Sequence, residues 1–159
     1  MAANDTFRVE RSTIIDAAPE AVFPAVDEFH RWVDWSPYEK MDAAMEKTYS
    51  GAAKGKGAVY GWAGKKAGSG RMEILASEPS SRIEIQLDFS KPFVAHNTAE
   101  FTFEKQGAKT RVTWAMYGPT NLMQKVMGLF FSMDRLVGPQ FEEGLASLKA
   151  LAEEARQPA

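Results

Sequence analysis

Residues 82–89, RIEIQLDF, alternate without a break: Ile83, Ile85, Leu87 and Phe89 fall on one side, Glu84, Gln86 and Asp88 on the other. Strict alternation of this kind predicts an antiparallel strand with one face buried and one wet. The same period, less regular, runs through residues 7–15 (FRVERSTII), 45–49 ahead of Gly51, 58–63 between Gly57 and Gly64, and 71–77 up to Glu78-Pro79. It returns in residues 95–105, closed by a Gln106-Gly107 turn, and in 110–117 (TRVTWAMY). Six or seven strands result, most of them joined by loops of hairpin length.

Two short segments interrupt the strands. Asp16-Ala-Ala-Pro19 ends the first; Pro19 suits the opening turn of a helix and Glu20 its positive end, with Val22, Phe23 and Val26 at helical spacing. Pro24 keeps that helix short or bent. Next, RWVDWSPYEK sets Trp32 and Trp35 three residues apart, so that one helical turn places both indoles on one face before Ser36-Pro37 ends it. After Gly118-Pro119 the period changes. Leu122, Val126, Phe130, Met133, Val137, Phe141, Leu145, Leu148 and Leu151 recur at steps of three and four, the stripe of a long amphipathic helix reaching about Ala155, with Thr120 or Asn121 as N-cap and Gly138-Pro139 as a kink.

This order predicts an α+β domain in which one helix covers the inner face of a large antiparallel sheet. Six or seven twisted strands are wider than one helix, so the sheet must curl around it, and positions far from the helix axis are left to line a cavity. Alternation places Tyr60, Trp62, Met72, Ile74, Leu87, Phe89, Phe101, Trp114 and Met116 on that inner face, with Asn97 beside them as a polar handle. Met123, Met127 and Phe130 look back from the helix, and Trp35 closes one end. Aromatic and methionine walls suit a flat or greasy guest, because ring faces offer area at little entropic cost and methionine repacks readily.

Composition narrows the chemistry. The chain has 159 residues with 10 Phe, 4 Trp, 4 Tyr and 8 Met, and no cysteine, so disulfides, thiolate nucleophiles and Cys-based metal sites are excluded. Two histidines, His30 and His96, are too few for an all-histidine metal site. A net charge of -2 gives no basic field for nucleic acid or an anionic membrane. The N-terminal residues include acids and lack an apolar run, and no stretch approaches the roughly 20 apolar residues of a membrane span, which makes a cytoplasmic protein without membrane insertion the expectation. Nothing long enough to act as a linker divides residues 1–159.

Several segments carry a family resemblance: IDAAPEAVF from Ile15, FHRWVDWSP, GKGAVYGW, GRMEI from Gly70, and FEEGLASLKALAEE at the C-terminus. Together they resemble the helix-grip superfamily of START-related lipid-transfer proteins, birch-pollen-allergen-like proteins and polyketide cyclases, and within it the bacterial SRPBCC, or polyketide-cyclase-like, proteins. The resemblance spans about Phe7 to Glu154. It implies a helix-grip fold, a single curved sheet around the C-terminal helix. It leaves function open, since that fold hosts carriers, enzymes, receptors and chaperone activators.

No catalytic set stands out. His30, at the end of a short segment, reads as a cap or an exposed ring, and His96 falls on the face opposite Asn97. Glu39, Asp42 and Glu46 near the cavity mouth, or Asp134 on the helix with Arg135 or Arg111 as partner, are the carboxylates to consider for acid and base work; the plain reading puts Asp134 on the solvated side. Asn97 and Tyr117 could hold a polar end of a guest. Seven glycines between residues 51 and 70, interleaved with Lys54, Lys56, Lys65 and Lys66, read as hairpin turns with solvated lysines, because a phosphate loop needs a helix after it and strands flank this one. The expectation is therefore a cofactor-free and metal-free binder of a small hydrophobic molecule, monomeric or weakly dimeric. A cyclase or aromatase using the same cavity is the alternative, followed by a protein-interaction module with the pocket collapsed.

Overall fold

The computed structural model describes residues 6–91, 94–119 and 133–156. Seven strands form one antiparallel sheet: β1 (Thr6–Ile15), β2 (Glu46–Gly51), β3 (Ala58–Gly64), β4 (Gly68–Glu78), β5 (Arg82–Lys91), β6 (Ala95–Gln106) and β7 (Lys109–Pro119). Their order across the sheet is β1-β7-β6-β5-β4-β3-β2. From β2 to β7 the chain is a meander. β1 lies at the far edge, so the segment between β1 and β2 must carry the chain from one edge of the sheet to the other.

That passage is made by α1 (Pro19–Asp27), a 3-10 turn (Phe29–Asp34) and α2 (Pro37–Met41). Pro19 opens α1 and Pro24 sits inside it, and Pro37 opens α2 behind Ser36, whose hydroxyl accepts from the Tyr38 N–H. A 3-10 geometry eclipses residues three apart, which brings the Trp32 and Trp35 rings to 4.8 Å.

The alternation of β5 is reproduced in its burial: Ile83, Ile85 and Leu87 face in and are buried, while Glu84, Gln86 and Asp88 are not. Register carries the same face across the sheet, Met72 opposite Leu87, Leu87 opposite Asn97, Phe101 opposite Trp114, Met116 opposite Val9. Against this face lies α3 (Met133–Arg156), which continues through Pro139. It packs chiefly on β1. Arg11 reaches Asp134 and Glu142, and Glu153 accepts from the Asp16 N–H, so β1 and α3 run in the same direction and Met133 lies toward the Phe7 end. The proposed cap at Thr120 or Asn121, and the helical stripe from Leu122 to Phe130, lie outside the described residues.

Candidate ligand site

The groove between sheet and α3 has two unlike ends. At one end the rings of Trp32, Trp35, Phe101, Trp114 and Phe141 fill the space. Trp114 lies flat between two neighbours, 4.0 Å from Phe141 with 8° between the planes and 5.0 Å from Phe101. Trp35 meets both Phe101 and Trp114 edge to face. The indoles are also fixed by their N–H groups: Trp32 Nε1 donates to the Val26 carbonyl at 2.8 Å and Trp35 Nε1 to the Ala25 carbonyl at 2.9 Å. α3 can approach this stack only because residue 144 is glycine. A Cβ there would stand 2.8 Å from the Trp114 ring and 2.9 Å from Pro37.

At the other end, toward Phe7 and the start of α3, the inward residues are Phe7, Trp62, Phe89, Asn97 and Gly118. Trp62 meets Phe89 edge to face at 5.7 Å and donates its Nε1–H to the Ala67 carbonyl. Phe7, Trp62 and Phe89 are only partly buried. Asn97 is buried at 4% exposure, yet its Oδ1 has no hydrogen-bond partner among the described residues. The missing side chain of Gly118 leaves it room, since a Cβ there would come within 2.5 Å of that oxygen. An opening of about 450 Å³ adjoins this corner, lined among the described residues by Thr6, Phe7, Arg8, Tyr117 and Gly118.

The structure therefore distributes the residues expected to line a cavity. Trp35, Tyr60, Ile74, Phe101 and Trp114 are buried within the packed half, Met72, Leu87 and Met116 stand between, and Trp62, Phe89 and Asn97 come together at the looser end. Met123, Met127 and Phe130 lie outside the described residues. Tyr117 does not join Asn97: it takes the outer face of β7, with the Arg8 guanidinium 5.0 Å above its ring. Phe7 and Gly118 were not foreseen as site residues. Phe7 could have been, because it shares the inward period of Val9; Gly118, having no side chain, offers no signal of its own and reads simply as a turn.

The polar residues are mostly committed to each other. Glu39 of α2, buried against β2 and β3, accepts from Lys47 Nζ at 2.7 Å and from the Tyr60 hydroxyl, and burial with that bond pushes the Tyr60 phenol well above its ordinary value. Asp42 accepts the backbone N–H groups of Lys66 at 2.9 Å and Ala67 at 3.2 Å, which hold its carboxyl below the usual range. Glu46 is exposed. Asp134 sits on the solvated side with its pKa lowered by a bidentate partner, Arg11 of β1, in place of the expected Arg135 or Arg111. His96 is on the outer face beside Asp88, and His30 stacks at 3.7 Å on Tyr49 next to a hollow of about 100 Å³. The four lysines among the hairpin glycines are exposed. Among the described residues no three carboxylate or imidazole side chains gather as a metal site would require, and no helix is long and apolar enough to cross a membrane.

A curved antiparallel sheet closed over one long helix, after two short helices, is the helix-grip architecture. Residues 6–153 match the family described as polyketide cyclase / dehydrase and lipid transport, and the chain belongs to it. Among solved structures it is similar to a protein of unknown function, SA2116, from Staphylococcus aureus, at 13% identity and a TM-score of 0.71, with 97% of this chain and 98% of the other covered. It is similar also to Ara h 8.0201, at 12% identity and a TM-score of 0.62 over 94% and 99% of the two chains. A third likeness is to the di-domain ARO/CYC protein BexL of the BE-7585A biosynthetic pathway, at 18% identity and a TM-score of 0.68, covering 96% of this chain and 48% of that one. At these identities the structural likeness speaks for the fold. No curated protein matches the sequence.

Proposed function

We propose that this protein binds a small, predominantly hydrophobic molecule, a lipid, polyketide or aromatic compound, in the looser end of the groove between sheet and C-terminal helix. The observation that carries the reading is the contrast between the two ends: stacked rings fill one, while partly exposed apolar side chains and one unpartnered polar atom gather at the other. Apolar walls with a few placed polar groups are the usual makeup of a ligand pocket. Trp62, Phe89 and Asn97 form the wall on the sheet, and Met123, Met127 and Phe130, by their helical spacing, are expected to face them. Trp35, Tyr60, Ile74, Phe101 and Trp114 support that wall from behind, with Met72, Leu87 and Met116 at the boundary. The family's description, which joins lipid transport to cyclase and dehydrase activity, is compatible with a carrier. Titration with a fluorescent hydrophobic probe tests it: saturable binding, displaced by a second apolar compound and weakened by Phe89→Ala, is expected. Unsaturable binding, or binding untouched by Phe89→Ala, would contradict it.

A second reading, a cyclase- or dehydrase-type enzyme, draws on Glu39 and Tyr60, a buried carboxylate and phenol on the inner side of β3. An enzyme needs proton donors and acceptors within reach of its substrate. Here each already holds the other, which favours the carrier. Turnover of a poly-β-ketone substrate that disappears in Tyr60→Phe would reverse the preference.

A further inference from the structure

Among the described residues the looser end contains one buried polar atom without a partner, and its chemistry specifies part of the guest. Asn97 Oδ1 is a carbonyl oxygen, able only to accept a hydrogen bond. Buried polar atoms are nearly always satisfied, because an unmade bond away from water is costly. Asn97 departs from that rule with its oxygen lying against the bare Cα of Gly118, at the end where Phe7, Trp62 and Phe89 are incompletely covered. Among the described residues on this face at this end, Phe7, Trp62, Phe89 and Gly118 carry no charge, and the charge of Lys47, which stands opposite Trp62, is already taken by Glu39. An ionised head group would find no unpaired counter-charge among them.

We infer that the guest is a neutral, largely apolar molecule bearing a hydroxyl or N–H group, such as a phenol or an alcohol on a ring system, which donates to Asn97 Oδ1. The inference rests on the binding reading above and narrows it, setting hydroxylated ring compounds above fatty acids and fully alkylated ones. Asn97 is then the residue that reads the guest's donor, while the rings of Trp62 and Phe89 read its flatness.

The test uses the full chain and two matched probes, 2-naphthol, which can donate, and 2-methylnaphthalene, which has the same shape and cannot. Affinities are taken by calorimetry or by quenching of tryptophan fluorescence. The wild-type protein should prefer 2-naphthol by about tenfold, the ratio that corresponds to ~1.4 kcal/mol, within the net range of one protein hydrogen bond. In Asn97→Leu the two affinities should become equal through loss of 2-naphthol binding, with 2-methylnaphthalene retained. Equal affinities in the wild type, or a preference surviving in Asn97→Leu, would overturn the assignment. The wild-type comparison decides by itself if the variant does not fold. Should neither probe bind the wild type, the binding reading falls and the assignment with it, an outcome distinct from equal binding of both.

Discussion

Phe141→Ala tests whether the packed end is core or an extension of the pocket. Phe141 is 2% exposed and lies against Trp114 with ring centroids 4.0 Å apart. Truncating a phenylalanine in a closed core costs about 3–5 kcal/mol, from lost transfer free energy and the cavity left behind, and a stacked pair adds ~0.5–1.5 kcal/mol that is part of the same loss. The neighbours cannot collapse easily into the space. Trp114 is held from behind by Phe101, and Trp35 is pinned through its N–H to the Ala25 carbonyl. A loss of about 4 kcal/mol is therefore expected. In urea, with a slope of roughly 2 kcal/mol per molar, it moves the midpoint by about 2 M; on heating it lowers Tm by roughly 8 to 16 °C. Urea denaturation followed by tryptophan fluorescence measures it. Phe89→Ala, at the looser end where the ring is only partly buried, should cost less than half as much. A loss below about 1 kcal/mol for Phe141→Ala, or equal losses for the two, would refute the division of the groove into a packed and an open half.

Three further outcomes follow from the same geometry. Gly144→Ala should destabilise the protein by about 1–3 kcal/mol although alanine is the better helix former, because the added methyl meets Trp114 and Pro37 at under 3 Å; a variant more stable to urea than the wild type would contradict the contact. Tyr60→Phe should cost ~1.5–3 kcal/mol, the range of a hydrogen bond to a charged group, since buried Glu39 then keeps, among the described residues, only Lys47; a loss below 0.5 kcal/mol in urea, roughly the least a neutral bond contributes, would show that the hydroxyl contributes nothing. Asp42 titrates lower in the folded protein than in the unfolded chain, so its contribution is present above the ordinary carboxylate value of about 4 and fades as pH falls through the lowered folded value. Asp42→Asn should accordingly flatten the loss of stability below about pH 4, and an unchanged slope in Tm against pH would dismiss the bond to the Lys66 and Ala67 N–H groups as its cause.

Most of the fold was legible because its determinants are local and periodic. The alternation of residues 82–89 places Ile83, Ile85 and Leu87 inward, and the glycine and proline breaks mark each strand to within a few residues. The candidate site was legible only in part. Alternation tells which residues face in, but not which of those a ring from elsewhere will cover: Trp114 and Phe89 share one pattern, and only the arrival of Phe141 and Trp35 makes one of them core. Partners distant in sequence were equally hidden. Nothing local connects Arg11 with Asp134, or Glu39 with Tyr60. Asn97 could be suspected as a polar residue on an apolar face; that its oxygen goes unpartnered depends on Gly118, a residue whose contribution is an absence of atoms.

The central claim is that the looser end receives a hydrophobic guest. Native mass spectrometry of the freshly purified full chain, with a saturating apolar ring compound such as 2-naphthol added, addresses it most directly. The account predicts a one-to-one complex that survives in the wild type and is depleted in Phe89→Ala. Absence of any adduct in the wild type, or equal adducts in both proteins, would contradict it.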